Sequence, residues 1–208
     1  MGEAAPGGVV FETISQSAER CGHYCWVERR LFELTGQWST RPGEPGEPDG
    51  PEIRVRFSEW SAGHAGLAER WRARLPVRAG VEAAALVVPP TASLADVLER
   101  LDRAAAPALQ LAGLATVVLP RLQAAYAEHL AHASPINQGP IRAVLAAATR
   151  STARESERGR ALLPGGLQGG LQDKSQGEGQ VETWAEFCRD LEQALGNASC
   201  ISPAARAS

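Results

Sequence analysis

Two glutamates and two histidines stand out because of the residues around them. Steps of three and four through "CGHYCWVERRLFELTGQW", residues 21–38, and the segment before it connect Phe11, Ile14, Ala18, Cys21, Cys25, Glu28 and Phe32. Every member but Glu28 is apolar or small, the spacing of a helix face turned to a core. An ionised carboxylate on such a face is costly unless it is paired or bound to a metal. The same counting places His64 in the stripe Ile53, Phe57, Trp60, His64, Leu67, Trp71, Leu75. His129 falls in Leu111, Ala115, Val118, Leu122, Ala125, His129, Ala133, and Glu155 in Ile141, Leu145, Ala148, Thr152, Glu155, Leu162. Two carboxylates and two imidazoles facing one interior form the donor set of a non-haem iron, manganese or zinc centre. Glu128 and His132 flank His129 and offer a third carboxylate or another imidazole, and Thr152 is placed to orient Glu155.

The same residues also admit a metal-free reading. His64 beside Trp60 and Leu67 fits a hydrogen-bonded core histidine, and Arg158 near Glu155 fits a buried ion pair. Glu28 can be answered by His64 or by an arginine of a neighbouring helix. Cys21 and Cys25, one turn apart, read as small buried side chains. His23 and Tyr24 fall on other faces of the first helix and are expected at the surface.

Four long helices must carry these residues. The first is expected over 10–35, ending at Gly36, and the second over 52–75, after the loop "RPGEPGEPDGP". A connector with a short helix from Ser93 to Ala105 leads to a third long helix from Pro107 to Ala133. Pro120 should kink that helix or open one backbone hydrogen bond. The fourth covers 140–163. The tract "GGLQGGLQDKSQGEGQ" cannot build a core, so 165–180 reads as a flexible linker between a bundle over 1–164 and a short amphipathic helix and tail over 181–208.

Composition narrows the class. The chain is 44% hydrophobic and only 5% aromatic, and strand-favouring runs are nearly absent, which points to an all-α protein. Its net charge is −3, with no basic stripe bearing interleaved aromatics, so nucleic acid is not an expected partner. The first residues lack a basic stretch followed by an apolar core, and "AAAPALQLAGLATVVLP" is interrupted and short for a bilayer. The expectation is a cytoplasmic protein with no membrane partner, compatible with homo-oligomer formation.

"WVERRLFELTGQW", "HAGLAERWRARLP" and "LPRLQAAYAEHLAHASPINQGPIRAVL" resemble a bacterial branch of the ferritin-like superfamily, a likeness spanning 20–163. The resemblance implies a four-helix bundle with a long crossover between the second and third helices, and no particular activity. The wider superfamily often holds two metals on a Glu of helix 1, Glu-x-x-His of helix 2, a Glu of helix 3 and Glu-x-x-His of helix 4. Here Glu28 matches the first and Glu128 the third. Ser61 stands where the helix 2 Glu belongs, and Arg158 where the helix 4 His belongs.

Three functions follow as expectations. One is an iron or manganese oxidoreductase, or its degenerate descendant, with ligands drawn from Glu28, His64, Glu128, His129 and Glu155. Another is a non-catalytic binding or assembly module with a metal-free buried polar network. The third is a small-molecule binding protein with a cavity lined by Trp60, Trp71 and Tyr126. No nucleophile with a base and no phosphate-cradling loop is present.

Overall fold

Helix α1 (Ile14–Thr40) begins at a capping box in which Thr13 and Gln16 satisfy each other's backbone N–H groups. The computed structural model describes residues 12–42, 50–77, 82–104, 106–163 and 178–196, so Phe11 lies outside the described residues. The helix runs through Gly36 instead of stopping there. Gly36 packs where a Cβ would approach the Ser61 hydroxyl at 3.1 Å, and the Ser39 hydroxyl donates to its carbonyl at 2.7 Å. Close packing, not chain reversal, is what this glycine serves.

The buried residues of α1 include Cys21, Tyr24, Cys25, Glu28, Leu31, Thr35 and Trp38 along one face, with Gly22, Val27 and Leu34 beside it. It keeps the centre of the predicted stripe and loses both ends, since Ile14 is 86% and Phe32 42% exposed. Tyr24, predicted at the surface, is buried. It sits one turn before Glu28 and therefore shares its face.

Helix α2 (Gly50–Arg72) returns antiparallel along α1. Phe57 meets Trp38, the Ser61 hydroxyl donates to the Phe32 carbonyl, and the Cys25 thiol donates to the Ala68 carbonyl. All seven residues of its predicted stripe are buried. A 3₁₀ turn, Ala83–Leu86, then crosses α1 so closely that a Cβ on Gly22 would collide with the Leu86 carbonyl. Helix α3 (Ala92–Arg103) buries Leu94, Val97, Leu98 and Leu101. Its Asp102 accepts from the Trp38 indole at 3.0 Å and pairs with Arg41, which fastens the crossover to the end of α1.

The third rod is α4 (Pro107–Gly113), a π-turn over Leu114–Val118, and α5 (Leu119–His132). Pro120 explains the break. The Leu119 N–H bonds the Leu114 carbonyl, five residues back, and Pro120 has no N–H to offer, so the Ala115 carbonyl loses both helical donors. The Ser156 hydroxyl of α6 (Gly139–Leu162) takes that carbonyl at 2.8 Å. Gly159 permits the approach: a Cβ there would lie 2.6 Å from the Ala115 Cβ and 2.8 Å from Trp60. Helices α5 and α6 are antiparallel, with Arg142 of α6 capping the Leu130 and Ala133 carbonyls.

Helix α7 (Glu178–Leu195) lies on α3 and α4, with Leu191 against Gly113, and ends at Gly196 in the left-handed conformation. Its first residues, Glu178–Gln180, belong to the tract predicted to be linker; 165–177 lies outside the described residues. Among the described residues the chain is all-α, without strands. One stretch, Pro107–His132, is long and apolar enough to cross a membrane by length and composition, where the apolar run was expected to be too short. Most of it is buried within the protein, as in a core helix.

Candidate functional site

Three of the five predicted ligands meet in the interior. Glu28 on α1 is fully buried, and its Oε2 lies 2.6 Å from Nδ1 of the fully buried His64 on α2. The Tyr126 hydroxyl on α5 donates a short hydrogen bond to Glu28 Oε1. On the other side of the ring, His64 Nε2 faces Glu155 Oε2 of α6 at 3.5 Å. The Ser151 hydroxyl donates to Glu155 Oε1 at 3.1 Å. The result is a line, Tyr126–Glu28–His64–Glu155–Ser151, that draws on four helices.

Electrostatics fixes the charges along it. Burial pulls the His64 imidazole down, but the Glu155 and Glu28 carboxylates outweigh burial and hold it at about 9, so it is an imidazolium at neutral pH. Burial pushes the Glu155 carboxyl up, and the Glu28 charge adds to this, with His64 opposing. Tyr126 is driven well above its ordinary range, first by burial and then by Glu28, so it stays a neutral donor. The 3.5 Å separation of His64 Nε2 and Glu155 Oε2 is long for a hydrogen bond, yet neither atom has another partner among the described residues. They face each other as an ion pair.

His129 does not join this line. It is buried a turn further along α5, with Nδ1 3.2 Å from the Tyr24 hydroxyl and Nε2 3.4 Å from Glu12 Oε2. Arg20 and Gln138 approach the same Glu12 carboxylate, each at 3.1 Å. Tyr24 joins the two clusters through its ring, which packs against Tyr126 at 4.8 Å and Trp71 at 4.8 Å. Glu128 is exposed and does not reach the line; its backbone carbonyl is taken by His132 and its charge acts weakly on Tyr24.

Several neighbours differ from expectation. Arg158 is exposed, and the main positive charge acting on Glu155 is the His64 imidazolium, with a smaller attraction from Arg154. Thr152 spends its hydroxyl on the Ala148 carbonyl of its own helix, and Ser151 holds Glu155 instead. Trp60, Trp71 and Tyr126 pack on other rings, Trp60 on Phe57 and Trp71 on Tyr126. A cleft of about 300 Å³ lies elsewhere, between α3 and α7, beside Arg100, Phe187 and Asp190. Tyr24, expected at the surface, and Tyr126, expected to line a ligand cavity, both carry a signal for the place they take here. Tyr24 is four residues before Glu28, and Tyr126 is four after Leu122 and three before His129, so both share the polar faces.

A metal does not fit this arrangement. Glu28 and Glu155 approach opposite nitrogens of one imidazole, so no ion bound to either nitrogen reaches both carboxylates. Among the described residues no group of three or more His, Cys, Asp and Glu side chains is arranged to hold a metal ion. Ser61, where a helix 2 carboxylate would stand, is committed to the Phe32 carbonyl. No protein-family model, curated protein or solved structure gives a significant match to the chain.

Proposed function

We propose that the protein is a ferritin-like four-helix bundle that works as a non-catalytic binding or assembly module, its carboxylate–histidine interior serving as a metal-free structural network. The observation that carries this reading is His64, with a carboxylate of a different helix at each ring nitrogen. In an oxidoreductase of the iron or manganese type, those nitrogens and carboxylates would converge on an ion and leave a position open for substrate. Here they neutralise one another. Such a network is satisfied in one register of α1, α2, α5 and α6 only, because a slip of one residue turns Glu28 or His64 away from its partners. Its contribution is to uniqueness of packing more than to net stability.

Tag-free protein incubated with excess Fe²⁺, Mn²⁺ or Zn²⁺ and then desalted should retain substoichiometric metal. Its melting temperature should not move. Retention of one equivalent or more, abolished in His64→Ala, would establish the metal centre and overturn this reading.

A further inference from the structure

The cleft between α3 and α7 has charged walls that do not meet. Its volume is about 300 Å³, at the small end of the range for ligand pockets. Arg100 and Arg103 of the last turn of α3 line one side with Ala104, and Phe187, Asp190 and Leu191 of α7 line the other. Among the described residues Asp190 pairs with neither guanidinium, and Arg103 turns to Glu99 of its own helix at 2.6 Å. Arginines in a last turn also suit the helix dipole, which accounts for α3 alone and not for a carboxylate and a phenyl ring facing them. We propose that this cleft binds a small zwitterion of the α-amino-acid kind with an apolar side chain.

Each part of such a ligand has a counterpart. Arg100, with Arg103 one turn on, takes the carboxylate, since a guanidinium presents forked N–H donors that match two oxygens. Asp190 accepts from the ammonium on the other side. The apolar side chain lies on Phe187 and Leu191, which pack closely on Gly113 of α4: a Cβ there would lie 2.8 Å from Leu191 Cδ1 and 3.3 Å from Phe187 Cε1. Leu191 is buried, so that wall belongs to the core and does not shift to fill the cleft.

The two walls also exclude. An anion without an amine is opposed by Asp190, and an amine without a carboxylate by two arginines. The exposed Arg103–Glu99 pair is worth little and gives way to a bound carboxylate at small cost. Because the walls belong to two helices, occupancy ties α7 to α3. The site is separate from the Glu28–His64–Glu155 line, to which neither helix contributes a side chain, so it does not depend on the metal-free reading of that line.

Calorimetric titration of the full chain with L-phenylalanine tests this, and saturable binding at a single site is expected. Phenylpropanoate, which lacks the amine, and phenethylamine, which lacks the carboxylate, should each bind roughly tenfold more weakly, the loss of one charge-assisted hydrogen bond. The double variant Arg100→Gln, Arg103→Gln should lose the preference over phenethylamine, and Asp190→Asn the preference over phenylpropanoate. All three positions are exposed, and an unchanged melting temperature shows that each variant keeps the fold. No saturable binding at millimolar L-phenylalanine would overturn the proposal, as would equal binding of phenylpropanoate or affinities that neither variant alters. Metal retention is read separately on the same protein, so failure here leaves the reading of the polar line intact.

Discussion

The interior line and the Glu12–His129 cluster at the start of α1 use the same two residue types and behave oppositely. At the centre, Glu28 and His64 have no solvent exposure, and among the described residues the imidazole is the cation that touches the Glu28 carboxylate. At the end, Glu12 has a side chain 17% exposed and a guanidinium beside it, so His129 is one donor among several. Depth decides the difference. A buried pair is costly to break because the survivor is left charged in a dry surround, whereas a pair near the rim is backed by water and by other donors.

Breaking each carboxylate should expose that contrast. Glu28→Ala strands both the Tyr126 hydroxyl and one side of the His64 imidazolium, and should cost about 3–5 kcal/mol in denaturant unfolding. Glu28→Gln should cost less and keep the fold, because it retains an acceptor for Tyr126. Equal, small losses for both would show that water reaches the centre.

The pH dependence has opposite signs in the two regions. His64 is raised in the folded state from 6.5 to about 9, so its contribution is full below about 6.5 and is lost as pH rises through about 9. Glu155, also raised, acts in the same direction at lower pH. Glu12 is lowered, so its contribution is full above the unfolded carboxylate range and is lost as pH falls through its folded value. Unfolding free energy measured from about pH 6 to about pH 10 should decline, and His64→Gln should flatten that decline. A decline unaltered by this substitution would assign it to other groups, such as Cys21, whose thiol burial pushes up to about 12.

Glu12→Ala should cost only about 1 kcal/mol, because the Glu12 and Arg20 side chains are 17% and 19% exposed and water can enter where the carboxylate was. Glu128→Ala, at an exposed position whose side chain makes no contact with the polar line, should change stability by less than about 0.5 kcal/mol. A larger loss at Glu128 than at Glu12 would show that Glu128, and not Glu12, is the carboxylate that holds the end of α5.

Much of this contrast was legible in the residues. The stripes of α2, α3 and the α4–α5 rod are buried as counted, and the count placed Glu28, His64 and Glu155 on interior faces. The expectation failed where a side chain's partner comes from another helix. Nothing in the spacing says that Gly36 packs on Ser61, that Ser156 answers a carbonyl freed by Pro120, or that Glu12 is drawn to His129. The stripe of α1 also drifted, because a chain of steps accumulates error against the helical period, which put Tyr24 on the wrong side of the helix. A count of turns gives faces; which donor meets which acceptor depends on how the helices are set against one another.

The central claim is that His64 is an imidazolium wedged between two carboxylates, and nitrogen NMR of the His64 ring reports this directly. In metal-free protein near neutral pH, both ring nitrogens should carry protons and show the paired shifts of the cation. Those shifts should not move on addition of Fe²⁺, Mn²⁺ or Zn²⁺. A nitrogen with a free lone pair at that pH, or one whose signal is displaced by stoichiometric metal, would contradict the claim.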